Sequence, residues 1–105
     1  MNLIIRDEAE EDALAAALWY ENCREGLGIQ FRNRLASVYE SIAFNPRQFG
    51  AITHRKVHGD VRIAFLKQFP YTVVFEVFED EVVVYAVSDG RQDDPWIQRL
   101  TPHGK

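Results

Sequence analysis

The stretch from Val82 to Trp96, VVVYAVSDGRQDDPW, carries the most suggestive chemistry in the chain. An apolar run ends on Ser88, Asp89 and Gly90, and Arg91 follows the glycine. A guanidinium at that place can be offered to a phosphate or to a carboxylate, because its planar fork makes paired hydrogen bonds with either. Asp93 and Asp94 suit an acidic turn or a helix N-cap before Pro95 better than a cation site. His54 and His58 lie four apart, the helical spacing of two metal ligands, but their surroundings show no helical period and supply no third ligand. A solvated basic loop is the better reading. Cys23 is the single cysteine, so it has no internal partner, and a small helix residue is a better reading than a nucleophile. There is no Ser-His-Asp set, glycine-rich phosphate loop or Cys/His metal spacing. No cofactor and no metal are expected.

The totals narrow the class further. With 105 residues, 47% of them hydrophobic and 27% charged, the sequence fits one globular domain over 1–100 with a flexible tail, including His103, over 101–105. Acids stand at 7–12 where a signal peptide would need an apolar core, and the longest apolar run, Val82 to Val87, is far too short to span a bilayer. A cytoplasmic protein without membrane contact is expected.

The net charge of −4 is unevenly spread. Residues 1–25 hold seven acids against Arg6 and Arg24, and residues 76–94 hold seven against Arg91 alone. Between them, residues 45–70 hold Arg47, Arg55, Lys56, Arg62 and Lys67 against Asp60. Such a belt suits an acidic peptide, whereas binding a long nucleic-acid duplex wants a broad cationic face. Direct nucleic-acid binding is therefore not expected.

The elements that must position these residues follow from period and punctuation. Asn2 to Ile5 reads as a strand. Asp7 reads as the N-cap of a helix running to Cys23, with Glu10 three residues on and alanines on the packing side. Gly26-Leu27-Gly28 turns the chain into a second helix, in which Phe31, Leu35, Val38 and Ile42 recur at steps of four, three and four. Asn45-Pro46 stops it. Phe49 to Gly59 reads as a loop. Val61 to Lys67, Tyr71 to Phe78 and Val82 to Ser88 then read as strands joined by links too short for anything but antiparallel hairpins. In the middle strand Tyr71, Val73, Phe75 and Val77 form the better core face, which predicts that Thr72, Val74 and Glu76 look outward. The expected fold class is α+β, ordered β-α-α-β-β-β. A helical hairpin would cover one face of a small, mainly antiparallel curved sheet and leave the other face open.

This order, together with "WYE" at Trp19 to Glu21, "GLGIQF" at Gly26 to Phe31, "IAFNP" at Ile42 to Pro46, "VRIAFLKQFPYTVVFEV" at Val61 to Val77 and the closing VVVYAVSDGRQDDPW, resembles the RelE/ParE superfamily of type II toxins. The resemblance covers nearly the whole chain and leans to the ParE branch. It implies one of two activities. RelE-like members cut messenger RNA on the ribosome with basic residues on the open sheet face, and ParE-like members act by binding DNA gyrase. Both are neutralised by an antitoxin, a ParD-like one in the ParE branch.

The nuclease pattern fails residue by residue. RNA cleavage needs a base for the 2′-hydroxyl, cations against the developing charge and an acid for the leaving oxygen. Where the RelE pattern carries two lysines and an arginine, this chain has Ile63, Phe65 and Thr72. Arg91 is followed by Gln92 rather than a second base, and Trp96 stands near the position of an expected tyrosine. A divergent nuclease would have to rely on Arg62, Lys67, Tyr71 and Arg91. The alternative readings are therefore that endonuclease, or a non-toxic module kept for antitoxin binding. Partner contacts are expected at Arg62, Phe65, Thr72, Glu76, Arg91 and Trp96, and the basic belt predicts an antitoxin with an acidic C-terminal segment. Arg62 divides evenly between a cation for a partner carboxylate and an edge-strand charge that discourages aggregation. Trp96 reads as a plug over the sheet end in preference to an interface anchor.

Overall fold

Residues 1–91 and 95–100 are described by a computed structural model. Strand β1, Asn2–Ile5, leads into helix α1, Asp7–Cys23, and helix α2, Leu27–Phe44. A 3-10 turn at Pro46–Gln48 precedes β2, Gly50–Ala51, and β3 (Val61–Phe65), β4 (Tyr71–Val77) and β5 (Glu81–Asp89) complete the sheet. A second 3-10 turn covers Pro95–Arg99. The sheet order is β1-β5-β4-β3-β2, open and mixed: β1 runs parallel to β5, and the other pairs are antiparallel.

Helix α1 begins where expected, but Arg6, not Asp7, is its N-cap and makes no side-chain cap bond. Its small residues Ala9, Ala16 and Ala17 are buried and let α2 approach closely. The approach is tightest at Gly28, where a Cβ would sit 2.5 Å from the Ala17 carbonyl oxygen. The turn between the helices places Gly26 at φ 87°, in the left-handed region that favours glycine. Helix α2 has no cap of its own; the Glu21 carboxylate of α1 accepts from the Gly26 and Gly28 amides at 2.9 and 3.0 Å and does that work. Gly28→Ala is expected to cost about 1–3 kcal/mol by forcing the helices apart, read as a lowered urea midpoint with unchanged slope.

The α2 stripe packs as its period requires, with Phe31, Leu35 and Ile42 buried and Val38 half-buried. On the sheet, Val73, Phe75 and Val77 of β4 meet Val82, Val84 and Val87 of β5 under the helices. The pairing slips between Val74 and Phe75, where Val74 faces Ala86 and Phe75 faces Val84, leaving Tyr85 as the extra residue of a β-bulge.

Two expectations are corrected by the far side of the sheet. That face is not open: Val61, Val74, Ala86 and Trp96 form a second buried cluster, flanked by Ile52, Val57, Ile63, Ile97 and Leu100. Thr72, Val74 and Glu76, expected to look outward, are accordingly buried. The segment 49–59 is likewise not all loop. Gly50–Ala51 pairs with Ile63 and Arg62, and the Ile52 amide donates to the Val61 carbonyl at 2.8 Å. No two-residue strand has a period to be read, which is why it escaped the sequence. Among the described residues no helix is long and apolar enough to cross a membrane.

Candidate functional site

The outer sheet face is where the sequence placed most candidate residues, and register fixes which of them share it. Phe65 pairs with Thr72 and Ile63 with Val74, so Ile63, Phe65 and Thr72 lie on one face with the second core. Polar groups there are turned inward. The Thr72 hydroxyl donates to the Ser88 carbonyl at 3.3 Å, and the Glu76 carboxylate, 1% exposed, accepts from the Tyr85 hydroxyl at 2.7 Å. The bulge at Tyr85 is what aims that hydroxyl, and the Arg6 guanidinium lies 5.3 Å from the Tyr85 ring centre. Trp96 is 3% exposed and closes the centre of the face, as a plug does. Phe65, at 70%, stands out beyond it.

The four residues of a divergent nuclease do not converge. Arg62 is tied down internally: its Nε donates to Asp60 at 2.9 Å and its Nη1 to the Arg47 and Phe49 carbonyls at 3.1 and 2.7 Å. It faces Phe75, four residues along β4 from Tyr71, which is roughly 13 Å at strand rise. Tyr71 belongs to an aromatic knot with Tyr20 and Phe31, and burial pushes its hydroxyl pKa up. Lys67 lies past the end of β3, exposed.

Arg91 is exposed at the exit of β5 and is matched to its neighbour. Its Nε and Nη2 donate to the two Asp89 oxygens at 2.9 and 2.7 Å, and its amide donates to Oδ1 at 2.9 Å. These bonds hold the Asp89 carboxyl down to about 2 and raise the Arg91 pKa. A lowered carboxylate pKa means that the pairing persists at and above the ordinary carboxylate range and is lost as pH falls through about 2. An acid titration followed by the Asp89 side-chain carbon should therefore show its midpoint near that pH, and Arg91→Gln should return it towards the usual range.

One pairing escaped the sequence altogether. Arg99 Nη1 donates to Asp12 Oδ2 at 2.6 Å and Nη2 to Oδ1 at 3.2 Å, across 87 positions. The pair stands beside a cleft of about 460 Å³ between α1, the end of β5 and the Pro95–Arg99 turn, with Trp19, Tyr20, Tyr71 and Arg91 also on its walls. A smaller cleft of about 370 Å³ lies between α1 and α2 at Leu14, Arg32 and Tyr39. The histidine pair sits in the 52–58 loop, where His54 Nδ1 accepts from the Lys56 amide at 3.0 Å. Among the described residues no three His, Cys, Asp or Glu side chains are grouped to hold a metal. Asp93, Asp94 and His103 lie outside the described residues.

The sequence of residues 3–94 matches the family model described as the ParE toxin of the type II toxin-antitoxin system, parDE. The chain belongs to the ParE toxin family. It is similar in fold to a solved chain titled "Chromosomal ParDE TA system from P. aeruginosa", with a TM-score of 0.71 and 20% identity over 85% of this chain and 95% of that one. None of the curated proteins matches it significantly. As a ParE toxin, the protein carries its second core on the face where the RelE branch would need its cations.

Proposed function

We propose that this ParE toxin acts by binding DNA gyrase, without bond chemistry of its own, and that a ParD-like antitoxin silences it. The observation that carries this reading is the outer sheet face. At the three positions where cleavage of RNA would need cations it bears Ile63, Phe65 and Thr72, and Trp96, Ile97 and Leu100 pack over its centre. A phosphodiester could not be seated there without displacing a buried tryptophan, and Ile63, Phe65 and Thr72 would offer it no cation.

The antitoxin reading rests on family membership and on the basic belt. Arg55, Lys56 and Lys67 are exposed, and Arg47, 3.9 Å from Asp60, is more than half exposed. An acidic C-terminal segment of the antitoxin would complement them, with Phe65 as an apolar anchor beside the belt. Arg62 supports this surface from beneath, by fixing the 47–49 backbone.

The deciding experiment is induction of the toxin alone, with growth, the DNA-damage response and supercoiling by purified gyrase measured together. Loss of supercoiling in proportion to added toxin is expected, with no new 5′ ends on translated transcripts. Intact supercoiling with cut transcripts would replace this reading by the endonuclease. Harmless overexpression alongside tight antitoxin binding would replace it by a degenerate binding module.

A further inference from the structure

The cations of this chain divide by whether a partner holds them. Arg62, Arg91 and Arg99 donate to carboxylates of their own chain at 2.9, 2.7 and 2.6 Å, and Arg34 donates to Gln68. The side chains of Arg55 and Lys56 make no ion pair or hydrogen bond among the described residues. Both are exposed, and they stand side by side at the tip of a tight turn. The Val57 amide donates to the His54 carbonyl at 2.9 Å, which makes Arg55 and Lys56 the two central residues of that turn.

The backbone of the turn is fixed by other groups. His54 Nδ1 accepts from the Lys56 amide at 3.0 Å inside it. On its two sides Ile52 and Val57 pack against the second core, and the Ile52 amide donates to the Val61 carbonyl at 2.8 Å. The two cationic side chains are therefore not needed to hold the loop and are left to project from it. Residues 49–59 contain no acid, and Asp60 beyond them is taken by Arg62 at 2.9 Å, with Arg47 at 3.9 Å. Two neighbouring like charges without a counter-charge of their own call for a partner whose negative charges are closely spaced.

We propose that Arg55 and Lys56 contact the phosphate backbone of the DNA that gyrase holds, an inference that rests on the gyrase reading above. A duplex carries one negative charge per about 1.7 Å of its length, a denser array than a protein surface presents, and arginine and lysine both bind phosphate. Two contacts are too few to hold a free duplex against the chain's net charge of −4. The contact forms only where gyrase has already placed DNA beside the toxin. An acidic antitoxin segment on the basic belt would cover the same two cations, so DNA and antitoxin exclude one another there.

The test measures the affinity of the toxin for purified gyrase, with and without a bound duplex, from about 50 to about 200 mM salt. With DNA present, Arg55→Gln/Lys56→Gln removes two phosphate contacts and should make the slope of log affinity against log salt shallower by about 1.8. The parent should then lose about twelvefold more affinity than the variant across that range. Without DNA the two should bind gyrase alike. Arg24→Gln/Arg32→Gln removes the same charge from exposed positions on the helical side and should keep the parent's slope. An unchanged slope in Arg55→Gln/Lys56→Gln, an equal change in both double variants, or a loss that is as large without DNA would each overturn the proposal, the last by assigning the two cations to carboxylates of gyrase. A parent that binds gyrase in neither state would overturn the proposed function itself, and this contact with it.

Discussion

Trp96→Ala is expected to lower the unfolding free energy by about 3–5 kcal/mol, the range for deleting a large aromatic from a closed core. The ring is 3% exposed and lies on Val61, Val74 and Ala86, one residue from each of three adjacent strands. Its removal leaves a hole that the flanking Ile97 and Leu100 cannot fill without drawing the whole Pro95–Arg99 turn inward. Thr72 and Glu76 flank Val74 on the same face of β4, both polar and both held by internal bonds. The control is Phe65→Ala on the same face. Its ring is mostly in solvent, and a change within about 0.5 kcal/mol is expected there. Urea denaturation of both variants against the parent checks the pair. A Trp96→Ala loss as small as that of Phe65→Ala would mean that the outer face is not a core, and with that the argument against RNA cleavage would lose its main support.

The same face shows where sequence reasoning worked and where it stopped. Local signals were strong wherever contacts are local. The four-three-four spacing of α2 put Phe31, Leu35 and Ile42 on the buried side, Asn45-Pro46 ended that helix, and the short links after Phe65 and Val77 required hairpins. The outward assignment of Thr72, Val74 and Glu76 failed because alternation reports polarity, and polarity reports exposure only if nothing covers the strand. What covers it arrives from 15 to 24 positions away, from Trp96 on one side and Ile52 and Val57 on the other. One local hint was present: the unbroken run Val82 to Val87 has no polar face, which is the pattern of a strand buried on both sides.

Side-chain partners were less legible than elements. Asp12 read as one of several acids near a helix start, yet it pairs with Arg99 and caps an amide of β5, which no spacing rule connects. Arg62 read equally as a partner contact or an edge charge. Its guanidinium in fact holds three groups of its own chain, so its nearest role is to fix the 47–49 segment under the basic belt. Arg91 was legible as the lone cation at the exit of β5, and its bidentate partner Asp89 was two residues away in plain view.

Phe31→Ala should be the most damaging substitution on the helical side, again by about 3–5 kcal/mol. Phe31 is fully buried where both helices meet the sheet, and its ring joins three others: stacked on Tyr20 at 5.4 Å, and edge-on to Phe69 at 5.2 Å and Tyr71 at 5.3 Å. Each such ring pair adds about 0.5–1.5 kcal/mol beyond area burial, so the loss should fall in the upper part of the range. A domain of this size is stable by about 5–15 kcal/mol, and each kcal/mol moves the midpoint by roughly 4–8 °C. A fall of at least about 12 °C in Tm is therefore expected. Phe31→Leu keeps most of the volume and gives up the ring geometry, and it should recover more than half of the loss. The two variants together separate filling from ring contact. If Phe31→Leu were as damaging as Phe31→Ala, the aromatic geometry would be the main source of stability at this junction, and if both were mild, the junction would repack around a smaller side chain and the hairpin would owe its position to Glu21 and the Gly28 contact instead.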